Sequence, residues 1–326
     1  MKRSIRTDLA MEAREMVQEQ NQIDIPGVKS ETVTADEDIT ITRVEVVSPL
    51  GEDNIGKPIG NYITLEIPGI SDGDKQYEEQ VKVHLANEIR RLVQLNDNSL
   101  VLIIGLGNWN VTPDAVGPKV VEKVLVTRHI FEYVPEQVDE RMRQICAVAP
   151  GVLGITGIET GEIVKGIVDR VKPDLVIAID ALASRKTSRI GNTIQVADTG
   201  INPGSGIGNK RMGLTKETLG VPTLAIGIPT VVYAHTIGRD SLEMLLTELV
   251  DQATNNNNFT QLLNGIDEEH LDCLVGEVLT EALGDLVVTP KEIDLLIDDA
   301  AGIIADGINL AIHNGLSLED VSRYLH

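Results

Sequence analysis

The sequence predicts an α/β fold, a three-layer α/β/α arrangement on a mostly parallel sheet, with a small helical insertion. Three observations lead there. Leu100-Val101-Leu102-Ile103-Ile104 is a short, wholly apolar run rich in β-branched residues, the pattern of a strand buried on both faces. From there on, strand and helix patterns alternate, the grammar of repeated βα units. Near the C-terminus, Ile293, Leu296, Ile297, Ala300, Ile303, Ile304, Ile308 and Ile312 make one broad apolar helix face, suited to docking on a sheet.

Taken in order, residues 39–48 and 61–67 alternate apolar with polar and predict half-buried strands, paired as a hairpin. A helix pattern runs from Tyr77 to Gln94. After the strand at 100–104, the helix pattern of Val116–Ile130 precedes a strand over Gln144–Pro150 and a helix over Glu159–Lys172. Strands follow at Leu175–Asp180, Thr193–Ala197 and Pro222–Ile228, then a helix at Asp240–Val250. Asn255–Asn258 is a polar break, and a helical insertion is expected at about 251–288. Thr289-Pro290-Lys291-Glu292 has the form of a helix start, with a threonine cap, proline at the first position and glutamate at the third; Gly315 ends that helix.

At 326 residues the chain suffices for one large domain with an insertion, or for two. Fifty acids against 28 Lys and Arg give a net charge of −22, which argues against nucleic acid or an anionic membrane as the main partner. Aromatic residues, at 2%, offer few stacking platforms for single strands. No apolar run reaches the roughly 18 residues of a membrane span, and no apolar core follows the basic N-terminus as a secretory signal would require. Cys146 and Cys273 lie in apolar patterns and are expected to be buried free thiols, which suits a reducing cytoplasm.

The turn GLGNWN after the first apolar strand raises the question of a dinucleotide phosphate. The fingerprint needs a third glycine, and Asn110 stands there; no Gly-Lys-Ser/Thr follows to make a P-loop. A second glycine-rich run, Gly204–Lys210, can present amides to an anion or a peptide, or serve as a plain crossover loop. The acids Asp114 and Asp180 both follow carboxyl ends of buried strands, where sites form in open parallel sheets. Asp180 has a structural alternative, capping an Ala181-Leu182-Ala183 turn. If the two acids converge, their repulsion splits their pKa values, so that one activates water while the other protonates a leaving group. Asn108 and Thr112 in the turn, Ser205 in the glycine run and His235 beyond a strand end are candidates to line such a site. No Gly-x-Ser-x-Gly or His-Glu-x-x-His motif is present.

GLGNWNVTPDAVGPK (105–119), TRHIFE (127–132), APGVLGITGIET (149–160), PDLVIAIDALASR (173–185), GINPGSGIGNKR (200–211), PTLAIGIPTVV (222–232) and VVTPKEID (287–294) together resemble the germination proteases of spore-forming bacteria. The resemblance runs from about Arg6 to the C-terminus. It implies an endopeptidase that degrades small acid-soluble spore proteins in the spore core, with the fold of hydrogenase-maturation peptidases. It places the family's two essential aspartates on Asp114 and Asp180, working as an atypical aspartic protease without cofactor or metal. A metallopeptidase using both acids and His235, and a nucleotide-binding module built on Gly105–Gly107, remain alternatives. The resemblance further implies a homotetramer and a longer pro-segment and insertion than this chain carries. The family's substrates are cut within Thr-Glu-apolar-Ala-x-Glu, after the first acid. Thr7-Asp8-Leu9-Ala10-Met11-Glu12 imitates that segment, so residues 1–8 are expected to be a pro-segment, cut between Asp8 and Leu9, before a single domain over 9–326. An ordinary helix start capped by Thr7 is the alternative.

Overall fold

Strand β4 (Leu100–Gly105) is buried along nearly its whole length. The computed structural model describes residues 7–19, 24–36, 38–70, 73–202, 212–252 and 286–325. Before β4 come α1 (Ala10–Glu19), β1 (Val28–Asp36), β2 (Ile39–Val46), α2 (Pro49–Ile55), β3 (Gly60–Glu66) and α3 (Lys75–Leu92). After it come α4 (Val116–Lys123), α5 (Arg128–Tyr133), β5 (Gln144–Val148), α6 (Leu153–Thr156), α7 (Thr160–Val171), β6 (Leu175–Ser184), β7 (Thr193–Ala197) and α8 (Lys216–Leu219). The chain continues through β8 (Thr223–Tyr233), α9 (Ala234–Gln252), β9 (Val287–Val288), α10 (Ile293–Ile312) and α11 (Leu318–Leu325).

Among the described residues the strands form one sheet in the order β1-β2-β3-β7-β8-β6-β4-β5, with β9 on the far end of β8. It is mixed, and this corrects the expectation of a mostly parallel sheet. Only β8, β6, β4 and β5 run parallel. β1, β2, β3 and β7 form an antiparallel half that joins the parallel block through the antiparallel β7–β8 pair. Arg185–Asn192, which joins β6 to β7, holds a 3₁₀ turn and is too short for the crossover that parallel strands require.

Alternate residues of the parallel block enter two different cores, as a period of two dictates. Val101, Ile103, Ile177, Ile179, Leu224 and Ile226 pack with Val81, Leu85 and Ile89 of α3, Val116 and Val120 of α4, and the apolar face of α10. Leu102, Ile104, Val176 and Ala178 pack with Val164 and Val168 of α7 and with Leu219 of α8. A third cluster joins Ala10 and Ala13 of α1 and Ile55 of α2 to Val44, Val46, Tyr62 and Ala197.

The helix expected over 116–130 is broken at Lys123. The amide of Leu125 donates to Asn309 Oδ1 (3.0 Å) and that of Thr127 to Ile145 O (3.0 Å), so neighbouring elements claim the groups a continuous helix needs. The threonine cap expected at 289 is also absent. Thr289 Oγ1 donates instead to Thr230 O (2.8 Å), and α10 starts at Ile293 after Glu292. Of the expected insertion, residues 253–285 lie outside the described residues, with Asn255–Asn258 and Cys273 among them. Cys146 is a free thiol, half-buried, whose Sγ faces Val101 O at 3.7 Å.

Candidate active site

The glycine turn is spent on shaping the chain. Leu106 N donates to Ile179 O (2.8 Å), and Asn108 N donates to Asp114 O (3.0 Å). Those two amides are therefore engaged inside the protein rather than offered to an anion. Asn108 Oδ1 accepts from Asn110 N (3.0 Å), and Asp114 N donates to Val111 O (2.8 Å), closing a 3₁₀ turn over Thr112–Asp114. Gly107 has φ +114°, and any side chain there would strike the main chain of Asp114. Gly117 allows the equally close approach of α4, since a Cβ on it would lie 2.3 Å from Leu106 O. The glycines thus pack strand, turn and helix tightly enough to aim Asp114 back over the sheet.

Asp180 owes its place to strand length. The last β4–β6 pair is Gly105 with Ile179, yet β6 runs on to Ser184, paired only with β8 on its other side. Asp180 is the first residue of this overhang. The strand does not stop at Asp180 and turn at Ala181–Ala183, as the capping alternative required. Its Oδ1 accepts from Ala181 N (2.9 Å). Burial pushes the Asp180 carboxyl well above its ordinary range, the nearby charges of Asp114 and Asp8 push it further, and the Ala181 amide opposes them.

Asp114 and Asp180 line one cavity of about 720 Å³, together with Asp8, Lys57, Tyr62, Gln195 and Glu217. The N-terminal segment meets the β6 overhang at Ala183. Asp8 N donates to Ala183 O (2.9 Å), and Ala183 N donates to Asp8 Oδ2 (2.8 Å). The Asp8 carbonyl accepts from Lys57 Nζ (2.9 Å) and Gln195 Nε2 (3.2 Å). Burial lowers the Lys57 pKa, while the charges of Asp8 and Glu12 raise it. Helix α1 begins at Ala10, so Thr7 does not cap it directly; Thr7 Oγ1 instead accepts from Leu9 N (3.1 Å).

Of the other candidate residues, Asn108 and Thr112 shape the turn but are not part of the cavity wall, which includes Val111, Pro113 and Asp114. His235 opens α9 with its ring 5.3 Å from that of Tyr233; Tyr233, not His235, reaches the cavity. Ser205 lies outside the described residues. Lys57 and Gln195 escaped sequence reasoning because neither belongs to a local motif, and their partners are remote in the chain. Among the described residues no three His, Cys, Asp or Glu side chains are grouped to hold a metal ion, and no helix is long and apolar enough to cross a membrane.

The family model for germination protease matches residues 6–264 and 247–325. A germination protease of Caldanaerobacter subterraneus is 53% identical over 322 residues, covering 99% of this chain and 98% of that protein. One of Clostridium tetani is 48% identical over 323 residues, covering 99% and 100%. One of Bacillus cereus is 41% identical over 361 residues, covering 100% and 98%. The architecture that carries Asp114 and Asp180 is thus accompanied by end-to-end similarity to one group of peptidases, and this chain belongs to the germination protease family.

Proposed function

We propose that this endopeptidase of spore germination cuts small acid-soluble spore proteins in the spore core, using Asp114 and Asp180 to activate water without a metal or cofactor. One observation carries the reading: a carboxyl with strongly raised proton affinity, Asp180, lines the same cavity as a second carboxyl, Asp114. Such a pair holds one proton between two like charges. In this reading Asp114 takes the proton of the attacking water while Asp180 donates its own to the peptide carbonyl oxygen. As the tetrahedral intermediate collapses, a proton passes to the departing amine. Beyond Ile179 the β6 overhang has no β4 partner, and in this reading an extended peptide pairs with it as the Asp8 amide does with Ala183 O.

The reading extends to a precursor cut between Asp8 and Leu9, to a homotetramer, and to the three-layer arrangement of hydrogenase-maturation peptidases. The burial pattern supports the cutting point. Asp8 is half-buried, whereas Leu9 and Ala10 are fully buried at 0% exposure and so belong to the folded body. The test is incubation of the purified chain with a small acid-soluble spore protein, with fragments identified by mass spectrometry. Asp114→Asn and Asp180→Asn should each abolish cutting in a folded protein, and substantial activity in either variant would sink the mechanism.

A further inference from the structure

Glu12 is a buried acid, at 1% exposure, that the proposed chemistry leaves unused. Its Oε2 accepts from Arg185 N (2.7 Å), its Oε1 from Lys186 N (3.0 Å), and Arg189 pairs with it at 2.9 Å. Oε2 also takes the hydroxyl hydrogen of Thr7. That same hydroxyl oxygen accepts from Leu9 N at 3.1 Å. A single hydroxyl therefore bridges the Leu9 nitrogen to a buried carboxylate, and it belongs to the segment that processing would remove.

We propose that cutting the Asp8–Leu9 bond frees an α-ammonium on Leu9 that replaces the Thr7 hydroxyl on Glu12, so that a buried ion pair marks and stabilises the processed chain. This rests on the processing reading above. Hydrolysis breaks the C–N bond, adds the water oxygen to the Asp8 carbonyl carbon and leaves the nitrogen protonated as an ammonium. Once the bond is cut, Thr7 and Asp8 are held only by non-covalent contacts, among them those from Lys57, Ala183, Gln195 and Glu12. Their departure leaves Glu12 without its hydroxyl donor and Leu9 N without its acceptor, one bridging atom apart.

The cations already near Glu12 are each shared with other acids. Arg189 is held by two bonds to Glu15 (2.6 and 3.1 Å), which also takes Lys186 Nζ (3.0 Å), so Arg189 does not belong to Glu12 alone. The Arg185 side chain pairs with Asp240 at 3.6 Å. Lys57 is the further cation that senses Glu12, and Asp8, the other acid it senses, leaves with the segment. Because Glu12 receives the amides of Arg185 and Lys186, its new partner would also fix the turn just beyond the β6 overhang.

The test uses the processed chain starting at Leu9, obtained by self-cutting and, independently, by removing a tag that leaves Leu9 first. With ¹⁵N-labelled leucine, the α-amine should titrate about one unit or more above the ordinary value near 8. Acetylating that amine should lower the thermal midpoint at pH 7 by several degrees. Glu12→Gln in the same chain should return the titration to its ordinary value. An amine of ordinary pKa, or equal melting of free and acetylated chains, would overturn the proposal. A raised pKa in the tag-released chain, with no self-cutting of the full chain, would uphold the pairing and count against the processing reading.

Discussion

A Cβ on Gly107 would stand 1.9 Å from the carbonyl oxygen of Asp114. The turn after β4 is therefore closed so tightly on Asp114 that only glycine fits beneath it, and the backbone there adopts φ +114°. Tightness of this kind holds a carboxylate in one place.

Gly107→Ala should accordingly damage activity more than fold. Strain at such a backbone costs about 1–3 kcal/mol, within the stability of a domain this size, but relief requires Asp114 to move. The expected outcome is a lowered melting temperature, an unchanged far-ultraviolet circular dichroism spectrum, and a fall in kcat/KM of about 10²-fold or more for an ångström-scale displacement. Unchanged kinetics would show that the turn does not position the acid.

Asp180→Asn should separate stability from function. The folded-state pKa of Asp180 is raised, so its contribution to stability is present below the unfolded value near 3.9 and is lost as pH rises through the folded value. Asparagine does not ionise. The variant should therefore unfold at higher denaturant concentration than the parent at pH 7 and above, with the difference vanishing near pH 3. Cutting should fall by about 10³-fold or more.

Asp8 is one of the charges that raise the Asp180 proton affinity. Asp8→Asn should thus lower the pH at which Asp180 titrates in the uncut chain, followed by carboxyl carbon NMR at constant ionic strength in a chain that does not process. A titration that stays in place would mean that Asp8 does not act electrostatically on Asp180.

Exhaustive chelation, checked by elemental analysis, should leave full activity. Loss on chelation with recovery on adding zinc would favour the metallopeptidase reading instead, with both acids as ligands.

Much of the fold is legible in the sequence, for reasons that differ by element. β4 and β6 show as apolar runs because cores lie on both of their faces. β1 was invisible: it is an edge strand whose residues are mostly exposed, so no apolar pattern records it. Strand direction is not legible in the same way, because it depends on connection geometry, and the short stretch from Ser184 to Thr193 turns β7 antiparallel without any apolar signal. At the site, strand ends located both aspartates, and the family resemblance singled them out. Lys57 and Gln195 could not be found that way. They meet the N-terminal segment only through the fold, and Gln195 accepts from the amide of Ala10 (2.7 Å) across nearly two hundred residues of chain.

The last prediction concerns the cut itself. The Asp8–Leu9 bond sits where the half-buried Thr7 and Asp8 give way to fully buried Leu9, and its carbonyl is engaged by Lys57 and Gln195. A bond so held has to leave its seat before a protease can bend it through a cleft, because cleavage requires an extended segment. Conditions that loosen the seat should therefore speed processing, while those that remove the proton on Asp180 should stop it. Asp180, with its raised pKa, holds its proton to higher pH than an ordinary carboxyl does, so acid favours the cut. N-terminal sequencing during incubation at mildly acidic pH should show a new terminus at Leu9, slower at pH 8, and absent in Asp180→Asn. A Lys57→Met chain, with the seat loosened, should process faster than the parent at neutral pH. An unchanged Met1 terminus in a fully active enzyme would show that this chain works without being cut.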